Sequence, residues 1–186
     1  LVLNSPSNPT GAVYSKPELE ALAEVVLEND LFVVSDEIYE KLIYDDIPFC
    51  SIAGLGEEIK ARTLIVNGVS KTYAMTGWRI GYAAGDGTVV SAMTKIQSQS
   101  TSNPNSIAQK AAVEALTGPQ DSVDEMTRIF SERRAYLVNR LNGIAGVRCS
   151  NPVGAFYAFA DFSHYFTKEK EGRPIRHLLL SAVPLV

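Results

Sequence analysis

The segment Gly68-Val69-Ser70-Lys71-Thr72-Tyr73-Ala74-Met75-Thr76-Gly77-Trp78-Arg79-Ile80-Gly81 decides how the chain is read. The apolar run Thr63 to Val66 precedes it and reads as a buried strand. Lys71 then stands between two hydroxyl residues, Ser70 and Thr72, and Arg79 follows inside a Gly-Trp-Arg-Ile-Gly cluster. A buried strand seldom runs into a lysine without a task for it. A lysine amine can bond covalently to a carbonyl carbon. An arginine beside glycines can clamp a phosphate through two parallel hydrogen bonds.

Working outward, Leu1 to Asn4 reads as the end of a strand, followed by turn chemistry in Ser5-Pro6-Ser7-Asn8-Pro9-Thr10-Gly11. Ser15 with Glu18 forms a capping box, and Leu19, Leu22, Ala23, Val26 and Leu27 make one apolar helical face. Leu31 to Val34 is a continuous β-rich run, as in a parallel strand covered on both faces, and it ends in Ser35-Asp36-Glu37-Ile38-Tyr39. Ile80 to Ala84 reads as a further strand. Strand, helix, strand, connection, strand is the order of an α/β fold with a mostly parallel sheet. Ligands of such sheets sit at the carboxyl ends of the strands. The polar clusters around Asn8, Asp36 and Lys71 each follow a strand and would line one edge.

Beyond Ala84, Gly85-Asp86-Gly87 reads as a turn, and helices are expected from Val89 to Gln99 and from Ile107 to Leu116. Gly118-Pro119 breaks the chain. Ser122 with Glu125 is expected to cap a long helix, on which Arg133-Arg134 reads as a solvated face. Val147 to Cys149 and Ala155 to Phe162 read as strands of a new unit, which divides the chain into residues 1–121 and 122–186.

The bulk properties are ordinary. The chain has 186 residues, 46% hydrophobic and 20% charged, with a formal net charge of −4. No Lys/Arg block suggests a nucleic-acid surface. No apolar run approaches the roughly 20 residues of a membrane span. Cys50 and Cys149 are far apart and read as reduced thiols of a cytoplasmic protein. His164 and His177 have no partners at metal spacing, so no metal site is expected.

The clusters meet the needs of pyridoxal 5′-phosphate. Its ring nitrogen needs a carboxylate, for which Asp36 is placed, with Glu37 pointing elsewhere. Its phenolic oxygen needs donors, which Tyr39 and Asn8 can supply. Its phosphate can use Arg79 and Ser70, and its carbonyl can take Lys71, which can then shuttle a proton. Singly, Asn8 fits a turn, Asp36 a helix cap and Tyr39 a core-edge aromatic. Together, at strand ends, they point to one cofactor.

The chain resembles a class I pyridoxal-phosphate aminotransferase of the aspartate aminotransferase type. Gly68 to Gly81 matches that family's lysine signature, and Asn8-Pro9-Thr10-Gly11 and Ser35-Asp36-Glu37-Ile38-Tyr39 match two further blocks. The resemblance implies a three-layer α/β/α large domain followed by the start of a smaller α+β domain. It implies that Lys71 is the Schiff-base lysine, that Asp36 partners the pyridine nitrogen, and that Tyr39 and Asn8 bind the phenolic oxygen. Asn8 would also touch the substrate carboxylate, and Arg79 would hold the phosphate. Ser70 is a weaker match, because some members carry the phosphate serine where this chain has Gly68. The segment around Ser102-Asn103-Pro104 resembles one that reaches a neighbouring subunit, implying a homodimer with shared sites.

Family members are about twice as long, so the chain is expected to be an internal fragment. By the resemblance it lacks the N-terminal phosphate loop, the aromatic that stacks on the ring and the C-terminal arginine for the α-carboxylate. Gln97-Ser98-Gln99 stands where one branch carries an arginine for a second carboxylate. The implied reaction moves an amino group between an amino acid and a 2-oxo acid, with aspartate and 2-oxoglutarate the leading pair. Prephenate amination is the rival within the class. A cofactor-binding regulator without turnover, or a plain α/β domain without cofactor, are the rivals outside it.

Overall fold

The computed structural model describes residues 1–166, together with the backbone of short strands at Glu169–Lys170, Arg173–Pro174 and Val183–Pro184. His177 lies outside the described residues, as does most of the chain beyond Phe166 in the unit expected over 122–186.

Four strands form one sheet: β1 (Val2–Asn4), β2 (Val33–Asp36), β3 (Thr63–Gly68) and β4 (Gly81–Ala84), in that spatial order. The first three run parallel, with Asn4 beside Asp36 and Asp36 beside Val66. β4 returns antiparallel, Gly81 pairing with Gly68. The carboxyl ends of β1 to β3 and the start of β4 therefore share one edge. The α/β class with a mostly parallel sheet is as expected.

Helix α1 (Lys16–Glu28) begins with the expected capping box. The Ser15 N–H donates to the Glu18 carboxylate at 2.8 Å, and Pro17 occupies the first turn, where no N–H is missed. Its Leu19, Ala23 and Val26 pack with Leu3, Val33, Ile52 and Ile59, so α1 and the short α2 (Glu57–Ala61) cover one face of the sheet. Val2 and Val34 point the other way and are 77% and 37% exposed. Among the described residues no second helical layer covers those two positions. β2 starts two residues later than expected. Val33 is the first residue in register, donating its N–H to Arg62 O at 2.9 Å, whereas Leu31 and Phe32 lie exposed ahead of the sheet.

Asp86 does more than turn the chain. Its carboxylate accepts from the Thr88 and Val89 N–H groups and caps α3 (Gly87–Ser100). Asn105 caps α4 (Ser106–Thr117) in the same way, and Ala108 and Ala112 of α4 pack on Val69 and Ile80. Helix α5 spans Asp121–Asn142 with Gln120 at its N-cap, so the expected Ser122 cap is not formed. Glu125 instead grips Arg128 through two hydrogen bonds of 2.8 Å. After α5 come β5 (Arg148–Cys149), β6 (Tyr157–Ala158) and β7 (Ala160–Asp161), with β5 and β7 antiparallel.

One expectation is overturned on α5. Arg134 is not on a solvated face: it is 6% exposed. It pairs with Asp45 through bonds of 2.6 and 2.8 Å, donates to Pro152 O at 3.0 Å and lies 4.5 Å from the Tyr44 ring centre. A guanidinium can bury itself this way because its planar fork meets several acceptors at once and its face stacks on a ring. Arg133 lies over Phe130. Cys50 is half-buried and Cys149 buried, both free, and burial pushes both thiols upward. Among the described residues no helix is long and apolar enough to cross a membrane.

The segment from Pro152 to Gly154 meets the first loop through two glycines. Gly11 accepts at its carbonyl from Val153 and Gly154 N–H at 3.0 and 2.9 Å. A Cβ on Gly11 would lie 2.3 Å from Pro152 Cβ, and its φ of +68° already disfavours a side chain. Gly11→Ala should therefore destabilise by about 2–4 kcal/mol, read as a lower urea midpoint.

Arg134 also ties stability to pH. Its hydrogen bonds hold the Asp45 carboxyl below the usual carboxylate range. That contribution is complete above the unfolded value of about 3.9 and is lost as pH falls through the depressed folded value. Asp45 is itself 47% exposed, which screens the pair. Asp45→Asn should cost about 1–2 kcal/mol at pH 7, and the difference from wild type should shrink as denaturation is repeated toward pH 3.

Candidate active site

The parallel register brings the first two predicted clusters side by side. The Asn4 side chain folds over the end of β1, donating to Asp36 O at 3.3 Å and accepting the Asn8 N–H at 2.7 Å. The loop carrying Asn8 closes on itself through Gly11 N–H to Ser7 O and Ser7 N–H to Ala12 O, at 2.9 and 2.8 Å. At the end of β2, Asp36 accepts the Ile38 N–H at its Oδ1, 3.2 Å away, forming a side-chain turn. Glu37 points elsewhere, as expected. It is 4% exposed and accepts from Ser35 and Ser51 hydroxyls at 2.9 and 2.6 Å. Burial pushes its carboxyl upward, while the two hydroxyls oppose that shift.

Tyr39 is 3% exposed, and its hydroxyl lies 2.8 Å from that of Tyr157. The Asn8 amide donates to the same Tyr157 oxygen at 3.3 Å. The rings of Tyr39, Phe156 and Tyr157 form a cluster of edge and tilted contacts with centres 4.8 to 5.9 Å apart. Lys71, on the turn after β3, carries its amine over this cluster. Nζ is 5.1 Å from the Phe156 ring centre and 5.9 Å from that of Tyr39. No ion pair to Lys71 occurs among the described residues. Aromatic faces attract the ammonium form without fixing it in a salt bridge.

Asn8, Tyr39 and Lys71 thus gather around one aromatic cluster, with Asp36 three residues from Tyr39. Arg79 is placed differently. It precedes β4 on the same edge, in a left-handed conformation with φ of 53°. Its Nη1 donates to Thr76 O at 2.7 Å. It lines an open cleft of about 820 Å³ with Ala74, Trp78, Gln97, Asn103 and Asn105. Ser70 is half-buried in the turn beside Lys71. Gly68, where a serine was the alternative, packs tightly: a Cβ there would sit 3.0 Å from both Gly81 Cα and Ile80 O.

Phe156 and Tyr157 escaped the sequence reading. They stand in a run read only as a strand, and nothing local marks them as site residues. The one available signal was Gly154, whose absent side chain permits close contact: a Cβ there would meet Pro6 and Val13 at 2.7 Å.

An amine over aromatic rings, a strand-end carboxylate and a phenol–amide pair lie at the carboxyl edge of the mostly parallel sheet of an α/β protein. The comparisons narrow this class. The family model "Aminotransferase class I and II" matches residues 1–180. An aspartate aminotransferase of Bacillus sp. (strain YM-2) is 52% identical over 88% of this chain and 42% of its own length. An aspartate/prephenate aminotransferase of Cereibacter sphaeroides is 51% identical over 92% of this chain and 43% of its own. The crystal structure of the Rhizobium meliloti aspartate aminotransferase superposes with a TM-score of 0.86 at 49% identity, covering 89% of this chain and 42% of that one. The chain belongs to the class I and II aminotransferase family. It spans about two-fifths of the length of these relatives.

Two phenols near the site give a check. Burial, then the bond to Tyr157, pushes the Tyr39 hydroxyl well above its ordinary range, and burial does the same to Tyr44. Unfolded tyrosine loses its proton near about pH 10, before these two do in the folded chain. Stability should therefore fall as pH rises past that point. Ultraviolet difference spectra at about pH 11 should show fewer phenolates in native than in urea-unfolded protein; equal numbers would contradict the burial.

Proposed function

We propose that the protein to which this chain belongs is a pyridoxal-phosphate-dependent aminotransferase, moving an amino group between aspartate and 2-oxoglutarate. The observation that carries this reading is the meeting of Lys71, Tyr39 and Asn8 around one cluster at the sheet's carboxyl edge. The donor set fits the cofactor: an amine with no salt bridge among the described residues, a carboxylate, a phenol and an amide. The bound cofactor would withdraw electrons from the substrate's α-carbon.

Lys71 would hold the cofactor through Nζ and later move the substrate's α-proton at that atom. Asp36 would keep the proton on the ring nitrogen. Tyr39 and Asn8 would donate to the phenolic oxygen, and Asn8 would also reach the substrate carboxylate. Arg79 and Ser70 would hold the phosphate; Arg79 would then need to turn part of its donor set from Thr76 O.

Residues 1–121 are assigned to the large domain and 122–186 to the smaller one. The Gln120 side chain lies beside this proposed boundary, donating to Ala115 O and Gly118 O and accepting from the Tyr73 hydroxyl. A cytoplasmic homodimer is part of this reading. It is supported by two free thiols and by α3, none of whose residues is buried. Prephenate is the second acceptor to consider, because two relatives at 51 and 52% identity bear the name aspartate/prephenate aminotransferase.

The full-length protein should show a visible absorption band on adding the cofactor. Lys71→Ala should abolish the band and lower transamination of aspartate by at least roughly 10²–10⁴-fold. A band that survives this substitution would sink the assignment of Lys71. Comparing kcat/KM for 2-oxoglutarate and prephenate would choose the acceptor.

A further inference from the structure

The Tyr157 hydroxyl stands between the two groups assigned to the cofactor's phenolic oxygen. It accepts the Asn8 amide proton at 3.3 Å and lies 2.8 Å from the Tyr39 oxygen. A phenol carries one proton and can accept as well. Either phenol can donate across the bond between Tyr39 and Tyr157. Where Tyr39 gives its proton to another acceptor, the Tyr157 oxygen, having accepted from Asn8, becomes the donor toward Tyr39, and successive hydrogen bonds polarise one another. Tyr39, having accepted, keeps its own proton for another partner, and Asn8 keeps a second amide proton.

The contact is built rather than incidental. The Ala155 N–H donates to Leu42 O at 2.8 Å, and the Tyr44 hydroxyl donates to Ala155 O at 2.5 Å. Arg134 holds Pro152 O in the same segment. The Tyr157 ring meets those of Tyr39 and Phe156 at 5.9 and 4.8 Å. Residue 157 is thus delivered to Asn8 and Tyr39 by a segment fixed at three places.

We propose that Tyr157 is a positioning residue, whose hydroxyl aims and polarises the Tyr39 and Asn8 donors toward the cofactor's phenolic oxygen. This rests on the cofactor reading above. The charged groups facing the pair are Asp36 from the end of β2 and Lys71 from the turn after β3, and substitution at Tyr157 leaves both in place.

The test is the pH at which the visible band of the full-length holoenzyme titrates. Tyr157→Phe keeps the ring and removes one oxygen. Weaker donation from Tyr39 leaves the phenolic anion less stabilised, so the titration should move upward by roughly 0.3 unit or more. In a Tyr39→Phe background the same substitution should shift the titration by less, because only the route through Asn8 remains. An unchanged titration in Tyr157→Phe, or an equal shift without Tyr39, would overturn the positioning role while leaving the cofactor reading intact. A wild-type protein without a pH-dependent band would overturn the cofactor reading and this inference together.

Discussion

The parallel register of β1, β2 and β3 is the constraint on which the rest depends. It sets Asn4 beside Asp36 and Asp36 beside Val66, so three loops leave the sheet from one line. Parallel pairing demands long crossovers, and here α1 and α2 supply them while covering one face of the sheet. The loops can then be short and polar, because the strands beneath them are fixed. β4 returns antiparallel and starts at the same edge, which puts Arg79 there too. Slipping one strand by a single residue would separate Asn8 from Tyr39 and invert the buried and exposed sides of that strand.

A second constraint comes from far along the chain. The segment Pro152 to Tyr157 packs onto loops more than a hundred residues earlier, with Gly11 and Gly154 at the closest approach. Arg134 anchors the same segment from α5. Among the described residues its Nε is buried without a partner, while its other nitrogens meet Asp45, Pro152 and Ser131. An arrangement with an orphaned nitrogen costs some stability. What it supplies is position: a guanidinium fork and its stacked ring fix α5 and two loop segments relative to one another.

The contrast between what the sequence disclosed and what it hid follows from distance along the chain. The strand-end placement of Lys71, Asp36 and Asn8 was legible because each sits at or just past the end of a strand, where turn residues and apolar runs mark the boundary locally. The α1 capping box was legible for the same reason. Tyr157 and Arg134 were not, because their partners lie 149 and 89 residues away. A strand-forming tyrosine and an arginine in an arginine pair look alike whether buried or solvated. Helix α5 shows that even a local motif can mislead: Ser122 and Glu125 have capping-box spacing, but the helix begins at Asp121, and Glu125 finds Arg128 within its own turns.

Asp36 and Glu37 show how the edge separates two adjacent carboxylates. Successive residues at a strand end point to opposite sides. Glu37 turns inward to Ser35 and Ser51, where burial raises its proton affinity and two hydroxyls support the charge. It ties β2 to the Ser51 turn and is spent on structure. Asp36 accepts a backbone N–H and stays on the side of Asn4, beside the Asn8 loop. Two carboxylates on the same side would repel each other and would each compete for any nearby cation. Sending Glu37 beneath the sheet's edge leaves Asp36 on the other side, at the end of β2 three residues before Tyr39. That separation follows from the alternation of a single strand.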